Sequence, residues 1–210
     1  MIEIAFSAFV ALFVVMDPVG LGPVFAVMTA DEDKSFRRSM ARRGALIATG
    51  LLIVFALVGK MLMTSMGIGI PAFRVAGGIL LFIVAIDMVL AHPSGIRTTT
   101  APERAEALHR HDISVFPIAV PLIAGPGTMT TGLLLMNQAE GHLLLQVWVL
   151  GMMILVGFFC WLFMIFASAI TRVLGVTGVN VIGRVMGVIL AALACQFVID
   201  GILTSGMAGG

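Results

Sequence analysis

The sequence predicts an all-α membrane protein with six transmembrane helices, built as two inverted repeats of three helices each. Apolar residues make up 60% of the 210 positions and charged residues only 11%, whereas soluble domains carry about 25% charged residues. The mean hydropathy is +1.14, so the solvent of this chain is a lipid bilayer. Six apolar segments, and two motifs that recur in the same order along the chain, complete the prediction.

Each of the six segments is long enough to cross a bilayer, which takes about 20 mostly apolar residues. They are residues 4–30, 44–66, 72–91, 114–139, 143–174 and 178–204. The fifth is long enough to tilt or to end at the membrane interface. The N-terminus lacks the basic region and cleavage site of a signal peptide, so the first segment is retained as a span.

Two motifs relate the halves of the chain. The pattern Pro, three residues, Gly, Pro occurs at residues 18–23 and again at 121–126. The run Arg-Val-x-Gly-x-Ile-Leu at residues 74–80 returns at 184–190, at a similar separation. Because each half holds an odd number of spans, the second half must enter the membrane upside down, which defines an inverted repeat.

A polar stretch, residues 92–112, is predicted to be a cytoplasmic linker between the repeats at 1–91 and 113–210. Orientation follows from basic residues in short loops, which stay on the cytoplasmic side. The basic loops all fall on one side if both termini lie outside, in the periplasm; they are residues 31–43, the linker, and the connection that contains Arg172. We therefore expect a multi-pass inner-membrane protein with both termini outside.

The Pro-x3-Gly-Pro stretches lie within spans one and four, where each is predicted to break its helix, since proline removes a backbone donor and glycine frees the backbone. In lipid a broken helix must be buried in protein or line a wet cavity, and matched breaks in two halves point to a transporter's binding site. Pro23 and Pro126 are each predicted to open the following half-helix. The two helix N-termini could then hold the carboxylate of a zwitterion. A pair of ordinary proline kinks is the alternative.

Several polar or small residues within the spans have either a functional or a packing interpretation. Asp17 is an acid inside a span, so it is either a functional residue or a helix cap. Gly183 and Gly187 have the spacing of close helix packing rather than of a site. Neutral hydrogen-bonding groups follow the second break at Thr128, Thr130 and Thr131.

The remaining reactive residues predict no enzyme. Cys160 and Cys195 lie in apolar runs and are expected to be small buried hydrophobic residues. His109, His111 and Asp112 could bind a metal, but a solvated loop is expected instead. No nucleophile–histidine set, zinc motif or phosphate loop lies inside a span, so no catalytic residue, metal or cofactor is expected.

The residues around both breaks resemble the signatures of the MarC family, also called UPF0056, which includes the SnatA transporters of small neutral amino acids. The matching residues are Asp17-Pro18-x-Gly20-x2-Pro23-x-Phe25 and Phe116-Pro117-x-Ala119-x-Pro121-Leu122-x-Ala124-Gly125-Pro126-Gly127. The resemblance implies a bacterial or archaeal inner-membrane protein whose discontinuous first and fourth helices surround a site for glycine, alanine or similar amino acids. Carried over, the substrate-binding residues are Asp17, Pro18, Gly20, Gly22, Pro23, Gly125, Pro126, Gly127 and Thr128.

Two departures from the family concern the first break. Many relatives have Asn where this chain has Leu21, so a polar contact is lost or the pocket is more apolar. Relatives also use Asn in place of Asp17, which argues against an obligatory proton carrier at that position.

The expected function is therefore a secondary transporter of small neutral amino acids that works by alternating access. A coupling ion, H+ or Na+, is expected to drive it. The alternatives are an uncoupled channel or exporter for other small metabolites, and a non-transporting membrane protein whose breaks are only kinks. The expected partners are the lipid bilayer and the amino acid, with no nucleic acid; a homo-oligomer is left open.

Overall fold

A computed structural model describes residues 2–90 and 112–206, and within these ranges the chain is helical with no β-strand. The predicted linker, apart from Asp112, lies outside the described residues, as do His109 and His111. The first half contains α1 (Ile2–Met16), α2 (Pro18–Met28), α3 (Lys34–Ser65) and α4 (Ile70–Leu90). The second half contains the irregular proline segment (Ser114–Ile123), α5 (Pro126–Gln138), α6 (Leu143–Ile165) and α7 (Ala167–Thr204).

Five helical stretches in the described ranges are long and apolar enough to cross a membrane: Phe6–Met28, Lys34–Ser65, Ile70–Leu90, Leu143–Ile165 and Thr177–Thr204. The proline segment and α5 meet at an angle of 60° and make a sixth span if this bent pair is counted as one. The prediction of an all-helical membrane protein is confirmed. The number of spans is five or six according to how this bent pair is counted.

Two predicted boundaries are wrong because tertiary contacts extend or end helices independently of hydropathy. Most of the predicted basic loop 31–43 is helical, since α3 begins at Lys34 and the Asp33 carboxylate caps it by accepting from the Phe36 amide at 2.6 Å. The predicted fifth span ends at Ile165 rather than at 174. Its remaining residues begin α7, where Ala167 is buried against Gly22 of α2.

The packing of the two halves follows one pattern. The first span (α1 and α2) packs against α6, as the fourth span (proline segment and α5) packs against α3. Likewise α2 contacts α7 and α5 contacts α4, while α4 and α7 form the most extensive helix pair. Exchanging the two halves therefore leaves this list of neighbours unchanged.

Close approach of α4 and α7 depends on glycine, as expected where helices pack in lipid without a hydrophobic driving force. A Cβ added at Gly78 would lie 2.8 Å from the Ala194 carbonyl oxygen, and one added at Gly187 would lie 3.1 Å from the Ala85 carbonyl oxygen. These contacts show that the two helices run antiparallel. The packing role predicted for Gly187 is confirmed, whereas an added Cβ at Gly183 would meet nothing within 4 Å.

One end of the bundle, hereafter the basic end, gathers Lys34, Arg37 and Arg38 at the start of α3 with Arg172 of α7. Farther along α3, Arg43 lies 3.4 Å from the carboxylate of Asp112. That carboxylate also accepts hydrogen bonds from the hydroxyl and amide of Ser114 at 2.5 and 2.9 Å. The two Ser114 bonds, and then Arg43, hold the pKa of Asp112 below its usual value of 3.8.

Toward the other end of α3, Lys60 forms an ion pair with Glu140, in the turn between α5 and α6. The charge of this lysine is thus offset locally. The basic end, by contrast, concentrates cations from α3 and α7 at a single level of the bundle.

Candidate functional site

The first helix is interrupted at Asp17, one residue before the Pro-x3-Gly-Pro motif. Asp17 has left-handed backbone angles, φ 47° and ψ 64°, and its carboxylate Oδ1 accepts from the Gly20 amide at 3.1 Å. Pro18 is the first residue of α2, and Pro23 lies inside that helix. The prediction that Pro23 opens the half-helix is therefore wrong. Asp17 provides the cap, and Pro18 directly follows it at the position where a missing N–H costs least.

Of the two roles predicted for Asp17, the structure shows the helix cap. Asp17 is buried at 9% exposure, and a methyl group added at Gly20 would overlap its carboxylate. Glycine at position 20 is thus what leaves room for the cap. Gly22 has a different role, because a Cβ there would lie 3.3 Å from the Phe163 carbonyl oxygen, so this glycine lets α2 pack closely on α6.

Replacing Asp17 with alanine should lower the free energy of unfolding by about 1 kcal/mol or more, because the α2 cap is lost and alanine is strained in a left-handed conformation. Asp17→Asn should lower the free energy of unfolding by only about a few tenths of a kcal/mol, since asparagine caps helices and tolerates this backbone region. Thermal unfolding of the two purified variants in the same detergent measures the difference. Equal losses in both would show that the negative charge, rather than the cap, stabilises the break.

The second break lies where it was predicted. Pro126 is the first residue of α5, Gly125 precedes it with extended angles (φ −78°, ψ 171°), and no side chain caps this helix end. Upstream, Phe116 and Val120 have extended backbones, as residues before proline prefer. Both of the X–Pro bonds that follow them are cis. After the proline segment, Ala124 (φ −94°, ψ 59°) and Gly125 leave helical angles, and the chain bends by 60° between the proline segment and α5.

The threonines after the second break donate to the backbone. The Thr128 hydroxyl donates to the Ile123 carbonyl across the bend at 2.9 Å. Those of Thr130 and Thr131 each donate to a carbonyl four residues earlier, also at 2.9 Å. All three residues are buried. Their hydroxyl protons therefore stabilise the bend and the first turns of α5, and their oxygens remain able to accept.

A small cavity of about 20 Å³ lies at the second break, with room for about one water molecule. Four predicted site residues line it, namely Gly125, Pro126, Gly127 and Thr128. The five predicted residues of the first break (Asp17, Pro18, Gly20, Gly22 and Pro23) do not line it. The first span reaches the cavity through Val15, at the end of α1. The four predicted residues of the second break thus lie together at this cavity, whereas the five of the first break are not part of its lining.

Gly127 is a point of close approach between the broken helix and its neighbours. A Cβ added there would lie 2.5 Å from Leu81 Cδ2 of α4 and 3.7 Å from Val15 Cγ1 of α1. Leu81 and Val84 also line the cavity, and sequence reasoning missed both. An apolar side chain within an apolar span carries no signal that separates it from its neighbours.

The cysteines and potential metal ligands lie apart from this cavity. Cys160 is buried as predicted, but the prediction for Cys195 is wrong because it is exposed on α7. In a bilayer an exposed apolar residue meets lipid, so a membrane helix need not bury a thiol to keep it from water. Within the described ranges, no three His, Cys, Asp or Glu residues come together as a potential metal site.

Comparison with known proteins extends over nearly the whole chain. The profile of a family described as "MarC family integral membrane protein" matches residues 2–205. A UPF0056 membrane protein of Archaeoglobus fulgidus is 34% identical, over 94% of this chain and 91% of that protein. One from Aquifex aeolicus is 36% identical over 93% and 91%, and YhcE of Escherichia coli is 32% identical over 94% and 91%. No solved structure matches the chain.

Proposed function

Because the chain belongs to the MarC family of integral membrane proteins, we propose that it is a secondary transporter of small neutral amino acids such as glycine and alanine. The observation that carries this proposal is the bent fourth span. There the N-terminus of α5 has no side-chain cap and faces a cavity between α1 and α4. Such an end is suited to an anionic group of a ligand, because its amides and its dipole both favour negative charge.

In the proposed site the substrate carboxylate is bound by the backbone amides of Gly127 and Thr128, since Pro126 has no N–H. The equivalent end of α2 already carries the Asp17 carboxylate. The two helix ends therefore have different roles, and a carboxylate at α5 leaves Asp17 or a backbone carbonyl at the bend for the substrate ammonium group.

The proposed architecture is two inverted repeats, residues 1–91 and 113–210, joined by a cytoplasmic linker at 92–112. Two observations support it: the same list of neighbours results when the halves are exchanged, and α4 lies antiparallel to α7. The Pro-x3-Gly-Pro copies nevertheless differ, since the first is helical throughout and the second contains the bend. The repeats are therefore proposed to share topology without sharing local geometry.

Alternating access is the proposed mechanism, with one repeat moving against the other. A cavity of about 20 Å³ is smaller than any amino acid. Substrate entry therefore requires α5 to move away from α1 and α4. The bend at Gly125 lies next to the proposed carboxylate site, so movement there would open or close the site directly.

We propose that the protein lies in the inner membrane, with the basic end facing the cytoplasm and both termini outside. The cations gathered from α3 and α7 support this assignment, because positive residues near the membrane stay on the cytoplasmic side.

Counterflow in proteoliposomes tests the function. Vesicles loaded with unlabelled alanine should accumulate labelled alanine or glycine transiently and with saturation, and an imposed H+ or Na+ gradient should accelerate net uptake. Empty liposomes of the same lipids are the control. Flux that follows the solute gradient without saturation or counterflow would indicate a channel instead, and absence of flux for both labels under every gradient would contradict amino acid transport.

A further inference from the structure

A second and larger cavity, of about 360 Å³, lies at the basic end between the end of α2, the start of α3 and the junction of α6 with α7. Its polar wall is formed by Lys34, Arg37 and Arg38 of α3 together with Arg172 of α7. Of the described residues that line it, none is acidic. The cavity therefore has the charge of an anion-binding site.

Among the described residues, no carboxylate forms an ion pair with these four cations. In the described part of the chain the ion pairs join Arg43 to Asp112 and Lys60 to Glu140, so none of the four cavity cations takes part. Asp33 is the nearest acid along the chain, and its carboxylate accepts from the Phe36 amide at 2.6 Å. An anion in the cavity would thus meet positive charge that has no ion partner among these residues.

One of the cations is already oriented across the cavity. Arg37 Nη2 donates to the Ser168 hydroxyl at 2.8 Å and so links α3 to α7. A guanidinium has five N–H donors in a planar fork, so this bond orients the group and leaves other donors for a ligand. That fork matches the oxygens of a phosphate group.

Apart from Ser168, the rest of the cavity lining is apolar. It is formed mainly by Phe25, Met164, Ile165, Phe166 and Ala169. Phe166 is 53% exposed. A small hydrophilic anion would leave this wall in contact with water, whereas an amphiphile would cover it. The cavity also lies at the end of membrane-spanning helices, where lipid headgroups are found.

We propose that this cavity binds the phosphate of an anionic phospholipid, with Arg37, Arg38, Arg172 and Lys34 around the phosphate and an acyl chain along Phe25 and Phe166. Basic pockets between membrane helices on the cytoplasmic side recognise anionic headgroups by this chemistry. The lipid would join α3 to α7, that is, one half of the chain to the other. The proposal is independent of the transported substrate, because none of the predicted substrate-binding residues lines this cavity.

Lipid titration of the purified, delipidated protein tests the proposal, with binding followed by native mass spectrometry and by the change in Tm. Dioleoylphosphatidylglycerol should bind with a lower Kd than dioleoylphosphatidylcholine and raise Tm more. The Arg37→Gln/Arg172→Gln variant should bind phosphatidylglycerol at least about tenfold more weakly, since hydrogen bonds to charged groups contribute enough for such a change. The matched control is Arg42→Gln, an exposed arginine of α3 outside the cavity, which should change the Kd less than about twofold.

One further variant separates a lipid from a free anion, and a second covers failure of the double variant to fold. Phe166→Ser should weaken phosphatidylglycerol binding several-fold and leave any effect of inorganic phosphate on Tm unchanged. Arg172→Gln alone, at an exposed position, should give part of the loss if the double variant does not fold. The proposal is overturned if Arg42→Gln weakens lipid binding as much as the cavity variants do. It is also overturned if inorganic phosphate stabilises the protein as strongly as the lipid, or if phosphatidylcholine binds equally well.

Discussion

Gly127→Leu should reduce alanine counterflow in proteoliposomes by more than about tenfold while the protein remains folded. At position 127 α5 packs closely against α4 and α1, with Leu81 Cδ2 only 2.5 Å from an added Cβ. A leucine side chain would fill the cavity and stand in front of the amides proposed to bind the substrate carboxylate. The stability cost should stay near 1–3 kcal/mol, typical of overpacking, because the end of the Leu81 side chain can turn away.

Gly50→Leu is the matched control for this experiment. Gly50 also lies within an apolar helix, but an added Cβ there would meet nothing within 4 Å and the residue is exposed. Counterflow by the control should equal that of the wild type, with both variants compared at equal amounts of reconstituted protein. Counterflow by Gly127→Leu equal to that of the wild type would contradict the proposed binding of substrate at the α5 N-terminus. Equal loss in both variants would mean that the defect is not specific to the site.

The largest loss of stability should follow from Gly78→Val, at the interface of α4 and α7. An added Cβ would lie 2.8 Å from the Ala194 carbonyl oxygen, 2.8 Å from Val198 Cγ2 and 3.1 Å from the Val198 amide nitrogen. Because two of these atoms belong to the backbone, the helices themselves must separate. We expect a loss of roughly 3 kcal/mol, at the upper end of overpacking, which corresponds to a decrease in Tm of about 6–12 °C.

The control for this change is Gly183→Val, on the partner helix of the same pair. Valine has the same helix propensity at both positions, but nothing lies within 4 Å of an added Cβ at Gly183, so its Tm should decrease by no more than about 2–4 °C. Thermal unfolding in one detergent compares them. Because valine has a higher helix propensity than glycine, equal losses of stability in the two variants would show that close α4–α7 packing at Gly78 does not set the cost.

The two glycine variants also test different properties of the molecule. Gly78→Val should lose transport only as far as it loses folded protein, whereas Gly127→Leu should lose transport at nearly normal stability. Measuring both properties for each variant separates a damaged fold from a blocked site.

The first break shows why a sequence motif does not determine local geometry. Pro18 and Pro23 can each occupy the first position of a helix, so the motif alone is compatible with a break before either one. The structure places the break before Pro18 because the Asp17 carboxylate reaches the Gly20 amide, and Gly20 leaves room for it. At the second break no such acid precedes the motif, and the extended residue Val120 interrupts the helix before Pro121.

By itself, the sequence determined the properties that depend on composition and on covalent constraints. A chain with 60% apolar and 11% charged residues must fold in lipid, and lipid requires helices that satisfy their own backbone hydrogen bonds. Pro126 could be assigned to the start of α5 because proline has no N–H to donate and Gly125 permits the turn. Family membership could also be inferred, since it rests on residue identity along the chain.

Only the tertiary structure decided which residues meet across the bundle. It placed Val15, Leu81 and Gly127 around one cavity, ended α6 at Ile165, and left Cys195 exposed. These outcomes depend on contacts between residues far apart in sequence, and in a membrane protein hydropathy cannot anticipate them. Side chains that face lipid and side chains that face protein are equally apolar there, so close packing at small residues such as Gly78 selects the neighbours.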